Sequence, residues 1–264
     1  DLFNCLLGVL SEDCCGEDRE PLPPVSLDEI AKALENNLAD AQANASILYD
    51  ASGNGGRSSF GTIFPIDPNE KAGPAGNPAF DDGLLLENPI FYTIYFENKE
   101  EALAAAQEVF ITDQLPDELD FETFQPLGLA FGEEVATFSQ ESENEWSVNV
   151  PYTDIVDGEN YVVEVSVTID RESGFTNWVF STQDPELDDY PANPFAGFLP
   201  PNDSTGRGEG LVSFMIMPNQ DVPRQTPVEN QATIIFDTEA PIITNTVRNT
   251  LWDLFPISDT MIVY

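Results

Sequence analysis

The chain has 264 residues, 48 Asp and Glu against nine Lys and Arg, a formal net charge of −39, and no histidine. The missing histidine excludes the usual Ser-His-Asp and Cys-His nucleophiles and any His-ligated zinc or copper, while the charge makes nucleic acid and anionic membrane surfaces poor partners. A hydrophobic fraction of 41% with 18 Phe, 7 Tyr and 3 Trp is ample for a packed core.

Residues 1–59 read as a helical, cysteine-containing segment. The only cysteines, Cys5, Cys14 and Cys15, allow one internal bridge from Cys5 to Cys14 or Cys15 with a thiol left for another chain, or three free thiols. Ser26 stands three residues before Glu29, a capping box ahead of Ile30, Leu34 and Leu38, which predicts an amphipathic helix over 26–44. The chain opens at Asp1 without a basic, apolar leader, and no apolar run reaches the ~18 residues of a membrane span. It therefore reads as a processed or partial chain, with secretion and no direct membrane insertion as the expectation.

From residue 60 to 250 the pattern is short strands separated by turns. Ile90–Glu97 carries apolar residues on both faces and is expected to lie centrally in a sheet. Further strands are expected at 108–115, 124–131, 146–152, 161–170, 175–182, 210–217, 232–237 and 242–247. In the 161–170 strand, Val163, Val165, Val167 and Ile169 alternate with Glu164, Ser166 and Thr168, and Arg171-Glu-Ser-Gly174 supplies a hairpin turn into Phe175. About nine strands without intervening helices predict a mainly β protein, an immunoglobulin-like β-sandwich with a small N-terminal helical segment.

Three blocks occur in order: Ile66-Asp-Pro-Asn-Glu-Lys-Ala-Gly-Pro-Ala-Gly76; Phe91-Tyr-Thr-Ile-Tyr-Phe-Glu-Asn98 running into Val109-Phe-Ile-Thr-Asp-Gln-Leu-Pro116; and Gly197-Phe-Leu-Pro-Pro-Asn202 with Val228-Glu-Asn-Gln-Ala-Thr-Ile-Ile-Phe-Asp237, Thr244 and Asn245. Together they resemble the conserved-repeat, immunoglobulin-like β-sandwich module of large bacterial secreted and cell-surface proteins. The resemblance covers about residues 60–250 and implies an extracellular structural or adhesive role without catalysis.

With hard oxygen ligands abundant, Ca2+ is the expected cofactor. Candidate ligands lie on proline- and glycine-bearing loops: Asp67, Asn69 and Glu70; Asp184, Glu186, Asp188 and Asp189; and Asn202 and Asp203 with Asp237 and Glu239. Asp113, Asp117 and Asp120 around Leu115-Pro116 form a fourth loop of this type. Each also reads as an ordinary acidic turn, because Asp, Asn, Gly and Pro favour turns on conformational grounds. Paired carboxylates could serve a glycosidase, yet Trp146 and Trp178 fall inside strands where core packing accounts for them, so the chain is read as no enzyme. Two sequons, at Asn44 and Asn202, permit glycosylation in a host that performs it.

Residues 251–264 end in an apolar run containing Ile257, Met261, Ile262, Val263 and Tyr264, which could add a strand to a second copy. The expectation is a calcium-stabilised extracellular subunit, assembling head to tail with copies of itself into a fibre. The alternative is an adhesin or carbohydrate-binding module, with a glycan as partner.

Overall fold

The computed structural model describes residues 69–76, 82–86, 88–187 and 189–252. The helix expected at 26–44, the three cysteines and the assembly residues at 257–264 lie outside the described residues.

In chain order the strands are β1 (Lys71–Ala72), β2 (Gly83–Leu85), β3 (Ile90–Glu97), β4 (Glu108–Gln114) and β5 (Leu119–Phe131). Next come β6 (Glu134–Ala136), β7 (Ser139–Ser142), β8 (Glu145–Thr153), β9 (Asn160–Asp170) and β10 (Phe175–Gln183). The series closes with β11 (Glu209–Pro218), β12 (Thr226–Asn230), β13 (Ala232–Phe236), β14 (Ile242–Ile243) and β15 (Val247–Trp252). They build a five-stranded sheet, β1-β3-β11-β5-β6, a seven-stranded sheet, β14-β13-β4-β10-β9-β8-β7, and a three-stranded sheet, β12-β15-β2. The pairings are antiparallel apart from β15 with β2. The described region is therefore the all-β, immunoglobulin-like sandwich the alternation predicts.

Period-two patterning sends one side of each strand inward. On β3 the buried residues are Ile90, Tyr92, Ile94 and Phe96; on β9 they are Val163, Val165, Val167 and Ile169. Aromatic rings stitch the faces together: Phe124 of β5 meets Trp146 of β8 at 5.7 Å and Trp178 of β10 at 6.2 Å, both edge-on, and Phe96 meets Phe180 at 5.4 Å. Edge-on rings at these separations add to the energy of area burial. Both tryptophans are core residues, as their strand positions predict. The 171–174 hairpin turn also forms. Gly174 takes φ +71°, and a Cβ there would lie 2.4 Å from the Phe121 ring, so both conformation and space require glycine.

Near the C-terminus the chain departs from expectation. A single strand over 242–247 is replaced by β14 and β15, and β15 continues to Trp252, with Leu251 fully buried. Thr244 makes the break. Its N–H donates to Ala232 O and its hydroxyl accepts from Ala232 N, both at 3.0 Å, so the chain leaves β13 there and turns to pair with β12.

Candidate functional site

Two inward rows of side chains are interrupted by polar residues. On β4 the buried series is Val109, Ile111, Asp113, and along β12 and β13 it is Val228, Asn230, Ala232, Ile234, Phe236. Ala232 is the register partner of Asp113. Asn230, two residues earlier at the end of β12 and also buried, brings its carboxamide to that carboxylate. From the five-stranded sheet comes a third polar residue: Lys71 of β1, register partner of Ile94 and fully buried. Its amine donates to Asp113 Oδ2 across the sandwich.

Asp113 thus corrects the expectation that grouped it with an acidic surface loop. The alternation Val109, Ile111, Asp113, Leu115 carries it inward, and the loop begins only after β4 ends.

The surroundings of the amine are aromatic. Lys71 Nζ lies 4.7 Å from the Tyr92 ring centroid and 5.2 Å from that of Phe214, two residues paired across β3 and β11. Such faces favour a cation, but removal from water works the other way. Burial pushes the Lys71 amine down from its ordinary value, against the opposing pull of Asp113. Burial likewise pushes Asp113 up, against Lys71 and the Asn230 carboxamide. Both shifts favour the uncharged pair, a free amine beside a protonated acid. Burial also raises the Tyr92 hydroxyl.

Hydrogen bonding at this point is incomplete. The Asn230 carboxamide is close enough to favour the ionised form of Asp113, yet neither its Nδ2 nor its Oδ1 completes a bond of normal geometry, and Asp113 Oδ1 and Tyr92 Oη are also without partners. Each unsatisfied buried group costs about 1–3 kcal/mol. A lysine amine, an acid able to carry its proton and a carboxamide with an unencumbered carbonyl are the components of an aminolysis, whose product is an amide between Lys71 and Asn230.

The expected metal ligands are placed differently from one another. Asn69 is buried and its Oδ1 accepts Glu97 N at 3.3 Å; Glu70 pairs through its backbone with Tyr95. Asp184 Oδ1 accepts Glu186 N at 2.9 Å, and Asp189 Oδ1 accepts Tyr190 N at 2.8 Å. Asp203 caps Thr205 N at 2.9 Å and pairs with Arg207, while Asp237 Oδ1 accepts from Gln107 N and Glu108 N at 3.0 and 2.9 Å. Glu186 and Glu239 are exposed, and Asp67 and Asp188 lie outside the described residues. Asn202 is buried, donating to Glu97 and to Glu209 Oε1 at 3.1 Å and accepting from Gly208 N, so its sequon is closed in the folded domain.

Among the described residues no three acidic or thiol side chains converge where an ion could sit. The carboxylates of Asp184, Asp189, Asp203 and Asp237 accept from backbone N–H groups. Thermal melting with and without a chelator tests the expected Ca2+, and an unchanged Tm would leave these carboxylates as turn caps. A fall of several degrees would place a structural cation in these loops.

Fold and site together define an immunoglobulin-like β-sandwich with a buried Lys-Asp-Asn constellation joining its sheets. A family described as a domain of unknown function, DUF7619, matches residues 196–250, the segment that holds Asn230 and Asn245. No curated protein matches the chain. Among solved structures, the collagen-binding domain from a Staphylococcus aureus adhesin overlaps with a TM-score of 0.34 at 12% identity, over 71% of this chain and 99% of that one. The Corynebacterium diphtheriae major pilin SpaA, described as pointing to a modular pilus assembly stabilising isopeptide bonds, gives 0.35 at 13% identity, over 70% of this chain and 38% of the pilin. AvmM, described as catalysing macrocyclisation in alchivemycin A biosynthesis, gives 0.31 at 11%, over 74% and 94%. An adhesin, a pilin and an enzyme at such scores assign no role, and function has to be argued from the site.

Proposed function

We propose that this domain is an extracellular structural module that cross-links its own core through an amide between Lys71 and Asn230. The observation that carries the reading is the buried, uncharged-leaning Lys71–Asp113 pair set beside a carboxamide that completes no hydrogen bond of normal geometry. In the reaction, the lone pair of Lys71 Nζ attacks Asn230 Cγ, and Asp113 protonates the carbonyl oxygen as the tetrahedral centre forms. Collapse of that centre breaks the Cγ–Nδ2 bond. The proton lost by the amine passes through Asp113 to the departing nitrogen, which leaves as ammonia, and the proton on the oxygen returns to Asp113 as the amide carbonyl re-forms, regenerating the acid. No histidine, metal or external reagent is required.

The bond would tie β1, on the edge of one sheet, to β12, which leads into the other. Tension entering at Lys71 would pass through the amide to Asn230, leaving the strands from β2 to β11 off the load path. That suits a stalk, fibre or adhesive surface protein better than a catalyst. The acidic, histidine-free composition fits an extracellular setting and disfavours nucleic acid. Polymerisation through residues 257–264 and an adhesive ligand such as a glycan belong to the same class of role.

The test is an intact-mass measurement on the purified chain. The expected mass is that of the sequence less one ammonia, with Lys71 and Asn230 recovered in one branched peptide after digestion. An unmodified mass would end the proposal.

A further inference from the structure

Lys71 lies on a two-residue strand at the outer edge of its sheet, a poor anchor for a nucleophile. Glu70 bonds to Tyr95 of β3 through both its N–H, at 3.2 Å, and its C=O, at 2.8 Å. In an antiparallel pair the next residue then turns both of its backbone groups away from the partner strand. On that far side Asn245 takes the place of a missing strand: Lys71 N donates to its Oδ1 at 2.8 Å, and its Nδ2 donates to Lys71 O at 2.9 Å.

The residue before it holds the first residue of β13, two positions after the other reactant, in the same way. Thr244 brackets Ala232 with its own N–H and hydroxyl, and Ala232 is both the register partner of Asp113 and two residues from Asn230. The Thr244 hydroxyl also donates to Asn245 O at 3.0 Å, tying the two together.

Resting on the amide-forming reading above, we infer that Thr244-Asn245 is a clip that fixes nucleophile and electrophile in one frame, with Asn245 as the positioning residue for Lys71. It does not touch the reacting atoms. Its carboxamide reproduces a peptide group and so holds the Lys71 backbone from the side where the sheet has ended, limiting where the amine can swing. Misplacing a reacting group by about 1 Å costs on the order of a hundredfold in rate.

The experiment uses the 264-residue chain as wild type, Asn245→Ala, Lys71→Met and the Lys71→Met/Asn245→Ala double variant, sampled at intervals after a short expression pulse. Intact mass gives the fraction that has lost ammonia, and thermal melting reports the fold. The expected result is complete loss in the wild type at the first sample and a rate at least about tenfold lower in Asn245→Ala, with the double variant melting within a few degrees of Lys71→Met. Equal rates in wild type and Asn245→Ala would overturn the clip. So would a double variant that melts far below Lys71→Met, since the asparagine would then serve the fold at large. A wild-type chain that keeps its full mass would overturn the amide itself, and the clip with it.

Discussion

Asn230→Ala is expected to give a folded chain of unreduced mass that melts about 10–20 °C below the wild type. The variant removes the electrophile and leaves the Lys71–Asp113 pair in place, so the difference reports chiefly the cross-link. Closing a loop from residue 71 to residue 230 withdraws about 5 kcal/mol of chain entropy from the unfolded state on the loop-closure relation used for disulfides. For a domain of 150–250 residues each kcal/mol is worth about 2–4 °C. The cavity left by the shorter side chain adds a smaller loss, about 1 kcal/mol, in the same direction. Calorimetry with intact-mass control on both proteins decides the matter. A Tm within about 3 °C of the wild type, with the wild type linked, would mean that the bond does not constrain the unfolded chain.

Much of the sandwich was legible because its long strands alternate cleanly. The predicted strands 90–97, 161–170 and 175–182 coincide with β3, β9 and β10 to within a residue, since buried β-formers recur at every second position there, Ile, Tyr and Phe in β3, Val and Ile in β9, and Trp178 and Phe180 between two threonines in β10. The strands that sequence reading missed are short or polar. β1 has two residues, β7 is exposed throughout, and β12 turns Pro227 and Glu229 outward. Their existence depends on neighbours distant in sequence, and local periodicity carries no trace of that.

The site was half legible for the same reason. Asp113 interrupts the apolar series Val109, Ile111, Leu115, and Asn230 interrupts Val228, Ala232, Ile234, Phe236, so each breaks the alternation at an inward position. That signal marks a buried polar group, which needs a partner. Grouping Asp113 with Asp117 and Asp120 as an acidic loop conflicts with its place inside the strand expected at 108–115. Lys71 has no comparable signal. Its burial follows from the pairing of Glu70 with Tyr95 and the clasp of Asn245, across separations that no local pattern reports. What could have drawn attention to it is scarcity: Lys32, Lys71 and Lys99 are the only lysines, and Lys71 falls within one of the three blocks that carry the family resemblance.

Asp113→Asn should be the more damaging change at the site, and it separates proton transfer from geometry. The amide keeps the shape of the carboxyl group but cannot accept the proton of the attacking amine or pass it to the leaving nitrogen. General acid–base assistance of this kind is worth about 10²–10⁴ in rate, so the variant is expected to be isolated at full mass and to lose ammonia over days, if at all. It also strands the lysine. With the carboxylate gone, only the Tyr92 and Phe214 ring faces oppose the desolvation that already lowers Lys71, and a charged amine left unpaired in the core costs about 3–5 kcal/mol. The amine escapes much of that by deprotonating, which places it in the nucleophilic state without a proton acceptor. Asp113→Asn should therefore melt below Asn230→Ala, although both are unlinked, because Asn230→Ala retains the charge partner. If Asp113→Asn purified with the ammonia already lost, the acid would have no part in the reaction, and proximity of Lys71 to Asn230 alone would drive it.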